Sequence, residues 1–135
     1  MIIDVNDRMN PVVLTEASIS IQTNPIGIKN VKQIILHSKE GYGIPHFHIK
    51  RTNGNDCCVM LNDNKFFNHG HNNGLLSSKE QKELDRWLRL INAEDPRYTN
   101  FQALGNIWNG IPNVKFQVDL YRDFDYTKMD LYEEK

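Results

Sequence analysis

Pro45-His46-Phe47-His48-Ile49-Lys50-Arg51-Thr52-Asn53-Gly54-Asn55-Asp56-Cys57-Cys58-Val59-Met60-Leu61 is the stretch on which the fold turns. Two runs with strand character flank Asn53-Gly54, and both of those residues tolerate the positive φ that a tight hairpin turn requires. The pattern predicts an antiparallel hairpin with strands over 46–52 and 56–61. A two-residue turn sends Phe47, Ile49, Cys58 and Met60 to one face, which reads as core. His46, His48 and Lys50 then share the other, more polar face with Cys57, Val59 and Leu61. On that reading the two imidazoles stay open to chemistry.

Upstream, Val31, Ile34, Ile35 and Leu36 predict a strand over 31–37, and Gly41, Gly43 and Pro45 break the chain before the hairpin. Residues 12–23 form a further extended, β-branched segment closed by Asn24-Pro25. Downstream, 65–68 adds a strand after Asn62-Asp63-Asn64. The character changes at Ser77, where Ser77-Ser78-Lys79-Glu80 fits a capping box. Leu84, Trp87, Leu88 and Ile91 follow at helical spacing. Pro96 ends that helix, and a second runs over 98–109 with Phe101, Leu104, Ile107 and Trp108 inward, stopped by Gly110 and Pro112. Val114, Phe116, Val118 and Leu120 alternate with polar residues and predict a last strand. The fold class is α+β: a mainly antiparallel sheet with a central hairpin, packed by two consecutive helices, then a C-terminal strand and an acidic tail.

The 135 residues suit a single domain, with about 121–135 as a flexible acidic tail. A formal net charge of -1 argues against wholesale electrostatic binding to nucleic acid. No apolar run reaches the roughly 18 residues of a membrane span. Met1-Ile2-Ile3-Asp4 lacks the basic lead of a signal peptide, so cytoplasmic residence is expected. Cys57 and Cys58 are strand neighbours pointing to opposite faces; they cannot pair with each other in an ordinary disulfide and read as buried, reduced thiols. Lys29, Lys32, Lys39, Lys50 and Arg51 face only Glu40 across 29–51, whereas the chain from Asp119 onward is rich in acids.

Four of the five histidines lie in two His-x-His steps, His46-Phe47-His48 and His69-Gly70-His71. Side chains at i and i+2 of a strand share a face roughly 6.5–7 Å apart, close enough for two imidazoles to converge on one metal. Whether His69 and His71 join them depends on the next turn. A two-residue loop at Asp63-Asn64 pairs Val59 with Asn68 and sends His69 to the Phe47 face. A three-residue loop through Lys65 pairs Val59 with His69 and gathers all four on one face. Both registers stay open, as does a plain loop over 68–74. Three chemistries are therefore carried forward. His46 and His48 can serve as acid and base, with Lys50 and Arg51 holding phosphate. His46, His48, His69 and His71 can hold zinc or another divalent transition metal, a metal-free protein being equally compatible with the pattern. Or the histidines are polar residues that hydrogen-bond locally.

Complete catalytic signatures are missing. Histidine-triad nucleotide hydrolases need a third histidine where this chain has Lys50. Cupins need a glutamate where it has Thr52 or Asn53. Two-histidine phosphoesterases need His-x-Thr or His-x-Ser.

Pro45-His46-Phe47-His48, the hairpin, Gly74-Leu75, a helix with Trp87 and Trp108-Asn109 together resemble a family of small bacterial proteins of unassigned function marked by a Pro-His-Phe-His motif. The resemblance covers roughly residues 44–109. It implies an association with toxin–antitoxin or other mobile-element systems, with His46 and His48 as the candidate site. This chain adds a longer N-terminal region and everything from Asn113.

Tyr121 and Tyr126, with Phe124 and Tyr132, are interleaved with acids and read as candidate interface anchors. The first expectation is thus a binding or regulatory protein of bacterial or phage origin, related to toxin–antitoxin or defence functions. Its partner would be a protein more readily than a nucleic acid, with no membrane involved. The alternative is a metal-dependent or histidine-based hydrolase of RNA or another phosphoester, using His46 and His48.

Overall fold

A computed structural model describes residues 27–68 and 72–132 and the backbone of 19–21. Six strands form one sheet in sequence order: β1 (Ile19–Ile21), β2 (Val31–Leu36), β3 (His46–Arg51), β4 (Cys57–Met60), β5 (Lys65–Phe67) and β6 (Asp130–Tyr132). All neighbours are antiparallel except β5 and β6. Helices α1 (Ser78–Arg89) and α2 (Asn100–Asn109) lie between β5 and β6 in the chain. The α+β architecture is as expected. Most of the extended segment expected over 12–23 lies outside the described residues. Among those described, no helix is long and apolar enough to cross a membrane.

Both helices begin on reciprocal caps. The Ser77 side chain accepts from Glu80 N while Glu80 accepts from Ser77 N, and Thr99 and Gln102 repeat the arrangement. Each cap satisfies backbone donors that a helix start leaves open, worth about 1 kcal/mol. Glu80 also pairs with Arg51 at 3.1 Å and accepts from Lys29 N, so the start of α1 is tied to the end of β3.

One sheet face packs on the helices: Ile34, Leu36, Phe47, Ile49, Cys57, Val59 and Phe66 meet Leu84, Leu88, Phe101, Leu104, Ile107 and Trp108 in a single core. The hairpin register differs by one residue from the expectation. Phe47 stands opposite Val59 and His48 opposite Cys58, with Gly54 supplying the positive φ of the turn at +82°. Because side chains alternate, this exchanges the two cysteines: Cys57 joins the helix-side core, and Cys58 and Met60 join His46 and His48. The next turn is likewise tighter than either register considered, with Val59 opposite Phe66.

Two further expectations are corrected. Ile91 is not on the inner face of α1; the helix ends before it, and Asn100 N and Asn92 N bond the Leu90 and Tyr98 carbonyls to close the connection. Residues 114–120 do not form the C-terminal strand, which is Asp130–Tyr132 instead. Their backbone is held by side chains. Trp108 Nε1 donates to Phe116 O, and the Asn109 amide bonds both Val118 N and Val118 O. The segment presses so closely on α2 that a Cβ on Gly105 would stand 2.6 Å from Leu120 Cδ2. Apolar alternation was present, but these partners leave no ladder for it to join. Beyond it, residues 121–132 pack: Tyr126 is fully buried and donates its hydroxyl to Met60 O at 2.6 Å.

Candidate metal centre

His46 and His48 start β3 and point away from the helix-side core, yet they are buried, at 2% and 1% exposure. That corrects the open, polar face expected for them. Met60, Cys58 and Phe67 flank them on neighbouring strands, with the His46 and Phe67 rings 5.2 Å apart. Trp108 reaches from α2 to the His46 ring at 5.4 Å.

The carboxylate at this site is Glu40, which has no part in the chemistry expected from the sequence. After β2 the chain makes a 3-10 turn (Ser38–Glu40) and folds back through Gly41–Gly43 toward Pro45. Gly41 permits the fold, since a Cβ there would lie 2.7 Å from Ile111 Cγ2. Glu40 Oε1 thereby stands 3.0 Å from His48 Nε2 and 3.4 Å from His46 Nε2. The sequence held one signal for it: Glu40 is the sole acid in the basic stretch 29–51. The fifth histidine, His37, also arrives on this connection, its ring 4.5 Å from that of His48.

Glu40 and the two imidazoles act on one another as one coupled group. Burial pushes the Glu40 carboxyl up, but hydrogen bonds and charge from His46 and His48 outweigh it and hold Glu40 well below the ordinary carboxylate range. Burial pushes His48 below its ordinary 6.5, only partly offset by Glu40. His46 Nδ1 lies 2.5 Å from the Ile44 carbonyl, which can only accept, so the proton sits on Nδ1. Nε2 then bonds the Glu40 carboxylate only when it carries a second proton, in the imidazolium. Without that proton the two are acceptors, and require a proton or a metal ion between or beside them. An Nδ1–H held by a backbone carbonyl is also how metal-ligating histidines are commonly oriented.

Among the described residues, two triplets have ligand atoms all within 4.8 Å of one another: His46, His48 and Cys58, and His37, Glu40 and His48. They share His48. The first is wholly buried and offers two nitrogens and one sulfur, a set that suits zinc. Burial first, then the nearby Glu40, pushes the Cys58 thiol far up, so it is neutral until a metal displaces its proton.

The other sequence candidates divide. Lys50 is engaged with Asp56 at 2.7 Å, and Arg51 with Glu80 and the Lys29 and Leu75 carbonyls, so neither stands ready for phosphate beside the imidazoles. His69 and His71 lie outside the described residues. Tyr121 is 81% exposed, whereas Tyr126 is a core residue whose phenol burial pushes up to about 12. Tyr126 therefore cannot anchor a surface partner.

A pH dependence follows for the metal-free protein. The folded form resists protonating His48, so stability falls as pH drops below 6.5 and the unfolded chain takes up that proton first. Glu40, held low when folded, adds stability that is present above 4.5 and declines below it. Both act in the same direction. Urea midpoints measured with chelator should fall from pH 7 to pH 4, with a slope of at most about 1.4 kcal/mol per pH unit for each proton. His48→Gln should flatten the upper part of that curve and Glu40→Gln the lower. Unchanged curves in both variants would contradict the assignment.

No protein-family model, curated protein or solved structure matches this chain.

Proposed function

We propose that this protein binds one zinc-class ion through His46, His48 and Cys58 and uses it as a Lewis acid in phosphoester hydrolysis. The carrying observation is the convergence of these three buried ligand atoms within 4.8 Å. Three protein ligands leave a fourth position for water or substrate, the arrangement of catalytic rather than structural zinc. His46 and Glu40 also line an open cleft, from which water would reach that position. Glu40 stands beside the ligands where it can orient a water. A structural zinc site would be closed by a fourth protein ligand; in the open form Glu40 stays off the metal and bonds the water instead.

Metal content by mass spectrometry tests the centre. Protein purified without chelator and incubated with zinc should carry one equivalent. The double variant His46→Ala/His48→Ala and the single variant Cys58→Ser should carry none while keeping the far-ultraviolet circular dichroism of the fold. Cobalt substitution should give a sulfur-to-metal charge-transfer band that Cys58→Ser lacks. The zinc protein should hydrolyse bis(4-nitrophenyl) phosphate and the variants should not. Folded wild type without stoichiometric metal would overturn the reading. Metal retained in Cys58→Ser but lost in His37→Ala would move the centre to the second triplet.

A further inference from the structure

The cleft beside the histidines encloses about 390 Å³, within the size range of small-ligand sites. Three parts of the chain line it: Glu40, Tyr42, Gly43 and Ile44 from the connection before β3, His46 and Phe67 from the sheet, and Lys115 and Phe116 from the segment after α2. The first and last of these are fastened together, since Lys115 N donates to Gly41 O at 2.9 Å. The last is also tied to His46, because Trp108 packs on the His46 ring and donates to Phe116 O at 2.9 Å. The backbone of Lys115 and Phe116 is therefore fixed near His46. The ammonium lies 5.4 Å from the Phe116 ring, and among the described residues it pairs with no carboxylate.

Tyr42 and Phe116 are 72% and 46% exposed, so two large rings of the cleft lining stand open to solvent. Rings in that position offer faces for a planar group to stack on. With a divalent ion bound beside His46, the charge of ion and lysine still exceeds that of the Glu40 carboxylate and the Cys58 thiolate together. The cleft then favours an anion that reaches both cations.

Resting on the metal reading above, we propose that the cleft binds a phosphate monoester carrying an aromatic ring. Lys115 contacts the phosphate opposite the ion, and Tyr42 and Phe116 take the ring. A small ligand fits the enclosed volume.

Phenylphosphonate is a suitable probe because its carbon–phosphorus bond resists hydrolysis, and methylphosphonate is its ringless control. Calorimetric titration of the zinc-loaded protein should show phenylphosphonate binding about tenfold tighter than methylphosphonate. Lys115→Ala should weaken both about tenfold, whereas Phe116→Ala should weaken only phenylphosphonate. Zinc stoichiometry, measured on the same samples, should stay at one in both variants. One equivalent of zinc with no preference for the ring, or with affinities indifferent to both substitutions, overturns the cleft proposal and leaves the centre standing. Lys115- and Phe116-dependent binding by a protein that takes up no zinc supports the cleft and removes the metal reading. No binding of either probe overturns the cleft proposal in any metal state.

Discussion

Trp108→Ala should cost about 3–5 kcal/mol in urea unfolding, the range for deleting a buried aromatic side chain. Trp108 is fully buried in the helix-side core and touches three parts of the fold at once. Its ring packs on His46, its Nε1 holds the carbonyl of Phe116, and the Trp108 carbonyl accepts from Ile111 N at the end of α2. Loss of the ring opens a cavity between α2 and the start of β3, and the freed Phe116 carbonyl must find water. Trp108→Phe separates the two effects. It keeps most of the apolar volume and removes the hydrogen bond, so about 1–2 kcal/mol is expected. Against a total stability of about 5–15 kcal/mol, the alanine variant should remain folded only marginally. A loss under about 1 kcal/mol for Trp108→Ala would show that residues 114–118 are held by something other than this side chain.

Ending the chain after Leu120 should abolish cooperative folding. The sequence alone suggests that these residues can be spared, because acids and tyrosines alternate there and resemble a solvated tail. The structure makes them part of the core. Tyr126 is fully buried, Arg122 donates to the Leu61 carbonyl and to Asn64, and Asp85 of α1 accepts from Tyr126 N. Asp130–Tyr132 then covers β5 in parallel. Removing one buried tyrosine costs about 3–5 kcal/mol, and the lost strand and arginine contacts add to it. The sum is comparable to the whole stability of a domain of this size. The truncated chain should show no sigmoidal urea transition, while Tyr126→Phe, which loses only the hydroxyl, should retain one. A truncated protein that unfolds cooperatively with the wild-type midpoint would return residues 121–132 to the status of an appendage.

These results separate two kinds of information. Local chemistry was legible in the chain. Asn53-Gly54 announced the hairpin, Ser77 and Glu80 the start of the first helix, and Phe101, Leu104, Ile107 and Trp108 the inner face of the second. Each depends on residues a few positions apart, where backbone φ, capping geometry and helical period act without help from the rest of the fold. The α+β class followed from adding such segments together. His46 and His48 were legible as a pair for the same reason, since strand alternation alone puts them on one face.

What surrounds that pair was not legible. The hairpin register moved by one residue, and with it Cys58 replaced Cys57 beside the histidines, because packing of Phe47 and Val59 against the helices decides which alternate set turns inward. Glu40 and His37 reached the imidazoles on a connection whose path is set by the close approach of Gly41 to Ile111. The apolar alternation of 114–120 had the right period for a strand but lay where Trp108 and Asn109 take its backbone groups. Tyr126 read as surface and became core because Met60 O and Asp85 await it. Each of these contacts joins distant parts of the chain, and its energy exists only once both parts are in place. Residue type and local spacing therefore determined the elements and the histidine pair. The tertiary packing alone decided which carboxylate, which thiol and which cleft would stand beside them.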